Sequence, residues 1–258
     1  MKKNLAIFIK RVDRFIHKNF DFLNVGKPGK FNKNYKWIYQ YLENEESDLT
    51  KKSFIEVGSR DVLDSLDILS KFKFSKSYIF EASFAGIQES INNLKSNKNY
   101  LDNIIFFPVA LGDRDGTTDF YEFNEISKNH SRANIGASTI YGNHNKSSIH
   151  YKVPIFKLDS ININFSDSFL LIMDCEGSEL PVLHGAKSVI KKLKFITLET
   201  SYSISSGNCE DIESFLFQQD FKLLDCDWPN TVKGSLPNKS DVGNARFCLI
   251  FENLNQKL

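Results

Sequence analysis

The sequence has no apolar run approaching the roughly 20 residues that span a bilayer. Its start, Met1-Lys2-Lys3 followed by Leu5-Ala6-Ile7-Phe8-Ile9, is interrupted by Lys10 and Arg11. That stretch is shorter than the ~7–15 apolar residues of a signal-peptide core. The chain therefore reads as not exported, hence cytoplasmic. Cysteine is scarce: Cys175, Cys209, Cys226 and Cys248 are the four in 258 residues. None lies at C-x-x-C spacing or beside a close pair of histidines, which argues against structural zinc and against a disulfide framework. Reduced, mostly buried thiols are the plainer account. Charge of one sign is lacking too: the net charge is +1 with 25% charged residues. A global nucleic-acid binder is usually clearly basic, so nucleic acid is not expected as a partner. There is no internal repeat and no low-complexity tract. What remains, 258 residues of 41% hydrophobic composition, fits one large domain with a short appendage.

The appendage lies at the N-terminus. Residues 1–36 hold ten lysines and arginines against Asp13 and Asp21 alone. Leu5, Ile9, Val12 and Ile16 recur at three- and four-residue steps, one apolar face of a helix. A basic amphipathic helix over residues 1–24 can lie on an anionic membrane surface. The alternative is that its apolar face packs on the body of the protein or on a second subunit. Val25-Gly26-Lys27-Pro28-Gly29-Lys30 reads as a loop, and a helix is predicted near Tyr35–Glu43. We divide the chain into a basic N-terminal helical extension, 1–50, and a main domain, 51–258.

From Ser53 onward short apolar runs alternate with segments of helical length. The runs are Phe54–Val57, Ser77–Phe80, Ile104–Ala110, Phe169–Met173, Phe195–Leu198 and Phe247–Phe251, with Leu63–Phe72 and Phe84–Lys95 among the segments between them. This pattern predicts parallel strands joined by crossover helices. About 114–153 the chain turns rich in Asn, Ser, Gly and His and reads as an insertion or loop region with short strands, the kind of segment that often serves as a lid.

Ligands of open α/β sheets bind at the carboxyl ends of the strands. The first run ends Glu56-Val57-Gly58-Ser59-Arg60-Asp61, where Gly58 removes the Cβ that would block a ligand near the backbone and Asp61 can cap the next helix. The dinucleotide fingerprint G-x-G-x-x-G is absent, which counts against a pyrophosphate and not against a phosphate-free adenosine. The second run ends Glu81-Ala82-Ser83; Glu81 follows Glu56 by 25 positions, and an acid there can accept from both ribose hydroxyls. After the third run, Ala110-Leu111 leave room for a flat purine. After the fourth come Asp174-Cys175-Glu176-Gly177-Ser178-Glu179. Three acids in six residues are unfavourable unless a cation, a metal or protons compensate. A sulfonium ligand, a divalent metal or a base role would each account for them, as would simple charge at the N-terminus of a helix running to about Leu193.

Over roughly Ser53–Tyr202 these pieces, with Leu158-Asp159, Val182-Leu183-His184-Gly185-Ala186 and Leu198-Glu199, resemble the FkbM-type methyltransferases. The resemblance implies a class I, Rossmann-like, doubly wound and mostly parallel seven-stranded sheet, S-adenosylmethionine as cofactor, and O-methylation of small-molecule or carbohydrate hydroxyls. It implies that Glu56 and Gly58 lie near the methionyl part, Glu81 at the ribose and Ala110 near the adenine. It also implies that Val57, Ser59, Arg60, Asp61, Ala82, Ser83 and Leu111 line the cofactor and that Asp174 and Glu176 face the transferred methyl. Two positions depart from the family pattern, Arg60 for a glycine and Ala82 for a proline.

Methyl transfer is an in-line displacement that needs alignment, and an alcohol needs a base or metal to draw off its proton. Asp174 or Glu176 is the candidate; His144 and His150 are rival bases. A nucleic-acid methyltransferase is disfavoured because Asp174-Cys175-Glu176-Gly177 replaces both the Asn-Pro-Pro-aromatic and the Pro-Cys signatures. A nicotinamide oxidoreductase lacks its later glycines. The third reading is a non-catalytic cofactor-binding module that docks a partner or a membrane.

Overall fold

The computed structural model describes residues 36–45, 48–123, 139–140, 148–204 and 206–256. The proposed membrane-facing helix at 1–24 lies outside them, as does His144. Strand β1 is Ser53–Val57, β2 Lys76–Phe80, β3 Ile104–Phe107, β7 Ser168–Met173, β8 Phe195–Thr200, β9 Phe221–Cys226 and β10 Phe247–Asn253. They form one seven-stranded sheet in the order β3-β2-β1-β7-β8-β10-β9. All neighbours are parallel except β10, which runs antiparallel to β8 and β9. The mostly parallel seven-stranded sheet is thus present, with the chain reversing direction across it between β1 and β7.

The central strands read as largely apolar runs, interrupted in β1 by Glu56, because both their faces are covered. Every residue of β1 and β7 is buried. Alternate residues feed two cores: Ile55, Val57, Leu171 and Met173 enter one, Phe54, Leu170 and Ile172 the other. Helix α2, Leu63–Phe72, buries Leu63, Leu66 and Leu69 at three-residue steps, one stripe of a helix. Helix α3, Phe84–Ser96, starts at Ser83, whose Oγ accepts from the Gly86 N–H at 3.0 Å, an N-cap. Helix α6, Cys209–Phe217, opens on a capping box between Asn208 and Asp211. Residues 36–45, assigned from sequence to the extension, hold a 3₁₀ turn and helix α1, Tyr39–Glu43. They pack on the second core through Ile38, Tyr39 and Leu42. Tyr39 donates to Asp67 and Tyr41 to Asp225, each at 2.5 Å.

The region read as an insertion is more regular than its composition implies. Strands β5, Gly116–Phe123, and β6, Ser148–Phe156, pair antiparallel over eight residues. With β4, Ala110–Leu111, they make a second sheet in the order β4-β6-β5. The run read as Ile104–Ala110 accordingly splits: β3 ends at Phe107 and Ala110 belongs to the second sheet. Tyr151 of β6 stacks on Phe84 at 4.2 Å and donates to Glu122 of β5. Glu122 accepts from the Phe84 and Ala85 N–H groups at 3.0 and 3.2 Å. The second sheet is thereby fastened to the N-terminus of α3, where a carboxylate suits the helix dipole.

The helix predicted to run from the acid cluster to about Leu193 is two pieces, α4, Glu179–His184, and α5, Lys187–Ile190. The break falls at Gly185, where a Cβ would stand 1.9 Å from the Gly112 carbonyl oxygen. That close approach of two backbones cannot be seen in helical periodicity.

Candidate active site

Register sets the site. Val57 pairs with Phe80 on one side and Met173 on the other, so the residues that follow, Gly58, Glu81 and Asp174, emerge level at the carboxyl edge of the sheet. There they wall one cleft, partly open to solvent, at the strand-end position where open α/β sheets bind ligands. Glu56, Val57, Gly58, Ser59, Arg60, Glu81, Ala82, Ala110, Leu111, Asp174 and Glu176 all line it. Of the residues singled out from sequence, Asp61 and Ser83 do not. Asp61 is buried and accepts from the Leu63 N–H at 3.2 Å, at the start of α2; Ser83 caps α3.

The β1–α2 turn is tightly constrained. Gly58 has φ +80° and a Cβ there would lie 1.9 Å from the Asp174 carbonyl oxygen. Arg60 and Val62 follow at φ +54° and +60°, left-handed values that L side chains adopt under strain and that gather at functional sites. The glycine that the family pattern places at residue 60 is thus accounted for by the backbone, although this chain carries arginine there.

Glu81 is buried, with Oε2 accepting from the Arg60 N–H at 2.6 Å and Oε1 from the Ser83 N–H at 2.7 Å. Each carboxylate oxygen keeps a second lone pair for a further donor. Burial pushes its pKa up to about 7, against the pull of those N–H groups. Burial likewise raises Glu56 well above the carboxylate range, with Asp64 adding to it and a hydrogen bond from Ser65 opposing. Asp64, on the wall of the cleft, is lifted to about 7 by burial against the field of Arg60.

The acid cluster after β7 lies in the same cleft. Asp174 is raised well above its ordinary pKa by burial, then by Glu199, Glu176 and Glu179; among the described residues its Oδ1 has no hydrogen-bond partner, nor has the buried Ser59 Oγ. Glu176 stands at φ +53° in the loop, not in the helix, so the helix-dipole account does not cover it. Its carboxylate meets Arg246 Nη2 at 2.5 Å, and Arg246 Nη1 reaches Glu199 at 3.0 Å. Burial lifts Glu176 to about 7, with Arg246 opposing. Glu179 belongs to α4; burial holds it near 7 while the Cys175 N–H, donating at 2.8 Å, opposes.

Sequence reasoning missed the roof and the counter-ion. Phe120 of β5, Thr139 and Ile140 line the cleft, and Thr139 donates to the Glu176 carbonyl at 3.0 Å. Arg246 sits 70 positions beyond Glu176 in the chain and arrives only because β10 returns antiparallel to this edge. His150, a rival base, lies outside the cleft lining: it is exposed on β6, bonded to Asp119 at 3.0 Å and stacked on Tyr121. Among the described residues no group of three His, Cys, Asp or Glu is placed to hold a metal ion, and no helix is long and apolar enough to cross a membrane.

The family model for the methyltransferase FkbM domain matches residues 65–223, more than half of the chain. The protein belongs to the FkbM methyltransferase family. Among solved structures, the FkbM methyltransferase from Methylobacillus flagellatus KT superposes with a TM-score of 0.54 at 15% identity, covering 93% of this chain and 50% of that one. The present chain therefore spans half the length of that relative. An uncharacterized protein from Listeria monocytogenes serotype 4b superposes with a TM-score of 0.50 at 8% identity, covering 89% and 70%. At such identities these likenesses establish the fold, that of a class I methyltransferase. No curated protein matches the chain.

Proposed function

We propose that this FkbM-family protein is an S-adenosylmethionine-dependent methyltransferase whose acceptor is a hydroxyl of a small or carbohydrate-like molecule. The observation that carries the reading is the sharing of one cleft by Gly58, Glu81, Asp174 and Glu176. The donor set suits the cofactor: two buried oxygens, Asp174 Oδ1 and Ser59 Oγ, have no partner there among the described residues. The carboxylates, held partly protonated by burial, are stabilised in charged form by a cationic ligand. When bound, the cofactor supplies an electrophilic methyl group on a sulfonium.

The chain's own residues then divide the work. Glu81 accepts from the ribose hydroxyls with the lone pairs its backbone bonds leave open. Ala110 and Leu111, both buried and apolar, border the space for the base. Asp174 places negative charge beside the positive end of the ligand. Glu176, with a pKa near 7, is matched to taking a proton from an acceptor hydroxyl at neutral pH. Arg246 holds that carboxylate in place.

Calorimetry with S-adenosylhomocysteine tests the class: binding in the micromolar range is expected, and no heat removes the reading. Asp174→Asn should abolish turnover of hydroxyl acceptors while leaving affinity for S-adenosylhomocysteine within several fold. Unchanged turnover would remove Asp174 from the mechanism.

A further inference from the structure

Arg60 is a cation among acids in a place that favours glycine. Its backbone is left-handed, at φ +54°, yet it carries a long side chain, which only 32% exposure remains to hydrate. Among the described residues that line the cleft it is the one with a positive charge; Glu56, Asp64, Glu81, Asp174 and Glu176 supply the negative ones. Among the described residues its guanidinium makes a single ion pair, Nε to Asp61 Oδ2 at 3.5 Å. That contact is misdirected for a hydrogen bond, and Nε is buried without an acceptor. A guanidinium has five N–H donors in a planar fork that matches a carboxylate two-to-two. The donors of Arg60 are thus largely unspent, and they face a cavity.

The position of Arg60 is fixed relative to the ribose end of the site. Its own N–H donates to Glu81 Oε2 at 2.6 Å, so its Cα stands beside the carboxylate that grips the sugar. Its guanidinium, beside Asp61, also lies within the field of Asp64, Asp174 and Glu56. The methionyl tail of the cofactor carries one carboxylate, one ammonium and one sulfonium. The cluster of acids suits the two positive groups and repels the negative one. Arg246 is engaged by Glu176 and Glu199 and does not line the cleft, so among the described lining residues Arg60 alone offers the opposite charge and a matching donor geometry.

We propose that Arg60 recognises the α-carboxylate of the methionyl tail and thereby makes the cleft select S-adenosylmethionine over adenosyl ligands that lack this group. The inference rests on the reading that the cleft binds S-adenosylmethionine. A purely structural arginine that only neutralises Asp61 and Asp64 would affect all adenosyl ligands alike.

The test is a binding cycle on the full chain, by calorimetry, with S-adenosylmethionine and decarboxylated S-adenosylmethionine, which differ by the carboxylate alone. The wild type should prefer the first by about tenfold to a hundredfold, the range of a hydrogen-bonded charge contact. Arg60→Gln should lose that factor for S-adenosylmethionine and leave the decarboxylated ligand unchanged or tighter, since a repelling cation is gone. Arg60→Lys, with charge but no fork, should fall between. Glutamine and lysine are no more strained than arginine at a left-handed position, and melting curves verify that each variant folds. Equal weakening of both ligands, no weakening, or a wild type without preference overturns the proposal while the cofactor assignment stands. A wild type that binds neither ligand overturns the cofactor assignment itself.

Discussion

Replacing Gly58 by alanine isolates the geometry on which the cleft depends. The added methyl would meet the Asp174 carbonyl oxygen at 1.9 Å and its carbon at 2.8 Å, at a φ of +80°. Both atoms are backbone, so no side chain can swing aside. A left-handed L residue costs about 1–2 kcal/mol. Relieving the contact also demands that the ends of β1 and β7 part by more than an ångström. The end of β1 is tied to β7 by Asp174 N–H to the Val57 carbonyl at 3.0 Å and to β2 by Gly58 N–H to the Phe80 carbonyl at 2.9 Å, so moving it strains both. Weakening both bonds adds about 1–2 kcal/mol at the usual net worth of a hydrogen bond. The sum, about 3 kcal/mol, corresponds to a melting temperature lower by roughly 6–12 °C for a chain of this size. Urea unfolding of Gly58→Ala against wild type measures the loss, and titration with S-adenosylhomocysteine should show binding weakened along with it. A loss below about 0.5 kcal/mol would mean that β1 and β7 do not approach as closely as described, and with that the shared cleft would fail.

Three further outcomes follow from the same geometry. Glu122→Gln should destabilise the protein by about 1–2 kcal/mol in urea, because the charge facing the N-terminus of α3 and the accepting strength toward Phe84 and Ala85 both fall; a change under about 0.3 kcal/mol would show that this clamp is not what fastens the second sheet. For the pH dependence, Asp64, Glu81, Glu176 and Glu179 sit near 7 in the fold, above their unfolded values. The folded chain therefore binds more protons than the unfolded one across about pH 4–7, so these groups' contribution weakens as pH rises through that window and is level above it. Melting curves of the ligand-free protein should rise on going from pH 8 to 5.5; a fall would contradict the burial of these acids. Arg246→Gln removes the cation that holds the Glu176 pKa down, so the acidic limb of the pH–rate profile should move to higher pH, and an unmoved limb would exclude Glu176 as the proton acceptor.

The central sheet was legible because parallel strands covered on both faces are apolar along most of their length, as Phe169–Met173 is throughout and Phe54–Val57 is but for Glu56, and because runs this short between helical segments suit strands. Strand β9 escaped notice for the opposite reason. At an edge, it exposes Lys222 and alternates burial, which in six residues does not separate a strand from a helix end. The β5–β6 hairpin was hidden by polar residues such as Asp119 and Lys152, which face water on a sheet covered on one side. Gly58, Glu81 and Asp174 were legible because each follows directly on an apolar run. Arg246, Phe120 and Ile140 were not, since nothing local to them records what the fold brings opposite. The break at Gly185 depends on a backbone contact with Gly112, a pairing no single segment encodes.

The balance of charge in the cleft decides between ligands that share the adenosine half. Among the described lining residues, Glu56, Asp64, Glu81, Asp174 and Glu176 face one guanidinium. In a partly dry cavity an excess of carboxylates is tolerated by taking up protons, and a cation that displaces those protons is drawn in. A dinucleotide would bring two phosphates to the same edge of the sheet and find there no glycine-rich turn, and the nearby Arg246 already engaged by Glu176 and Glu199. A sulfonium with a neighbouring ammonium meets the acids, and its lone carboxylate has one place to go. If that reasoning holds, raising the pH from 6 to 8 strengthens binding of S-adenosylmethionine more than that of the uncharged-sulfur product, S-adenosylhomocysteine, because ionising Asp64, Glu81 and Glu176 adds attraction for the extra positive charge. Calorimetric titration of both ligands at the two pH values measures the difference; equal responses would show that the acids do not face the sulfur.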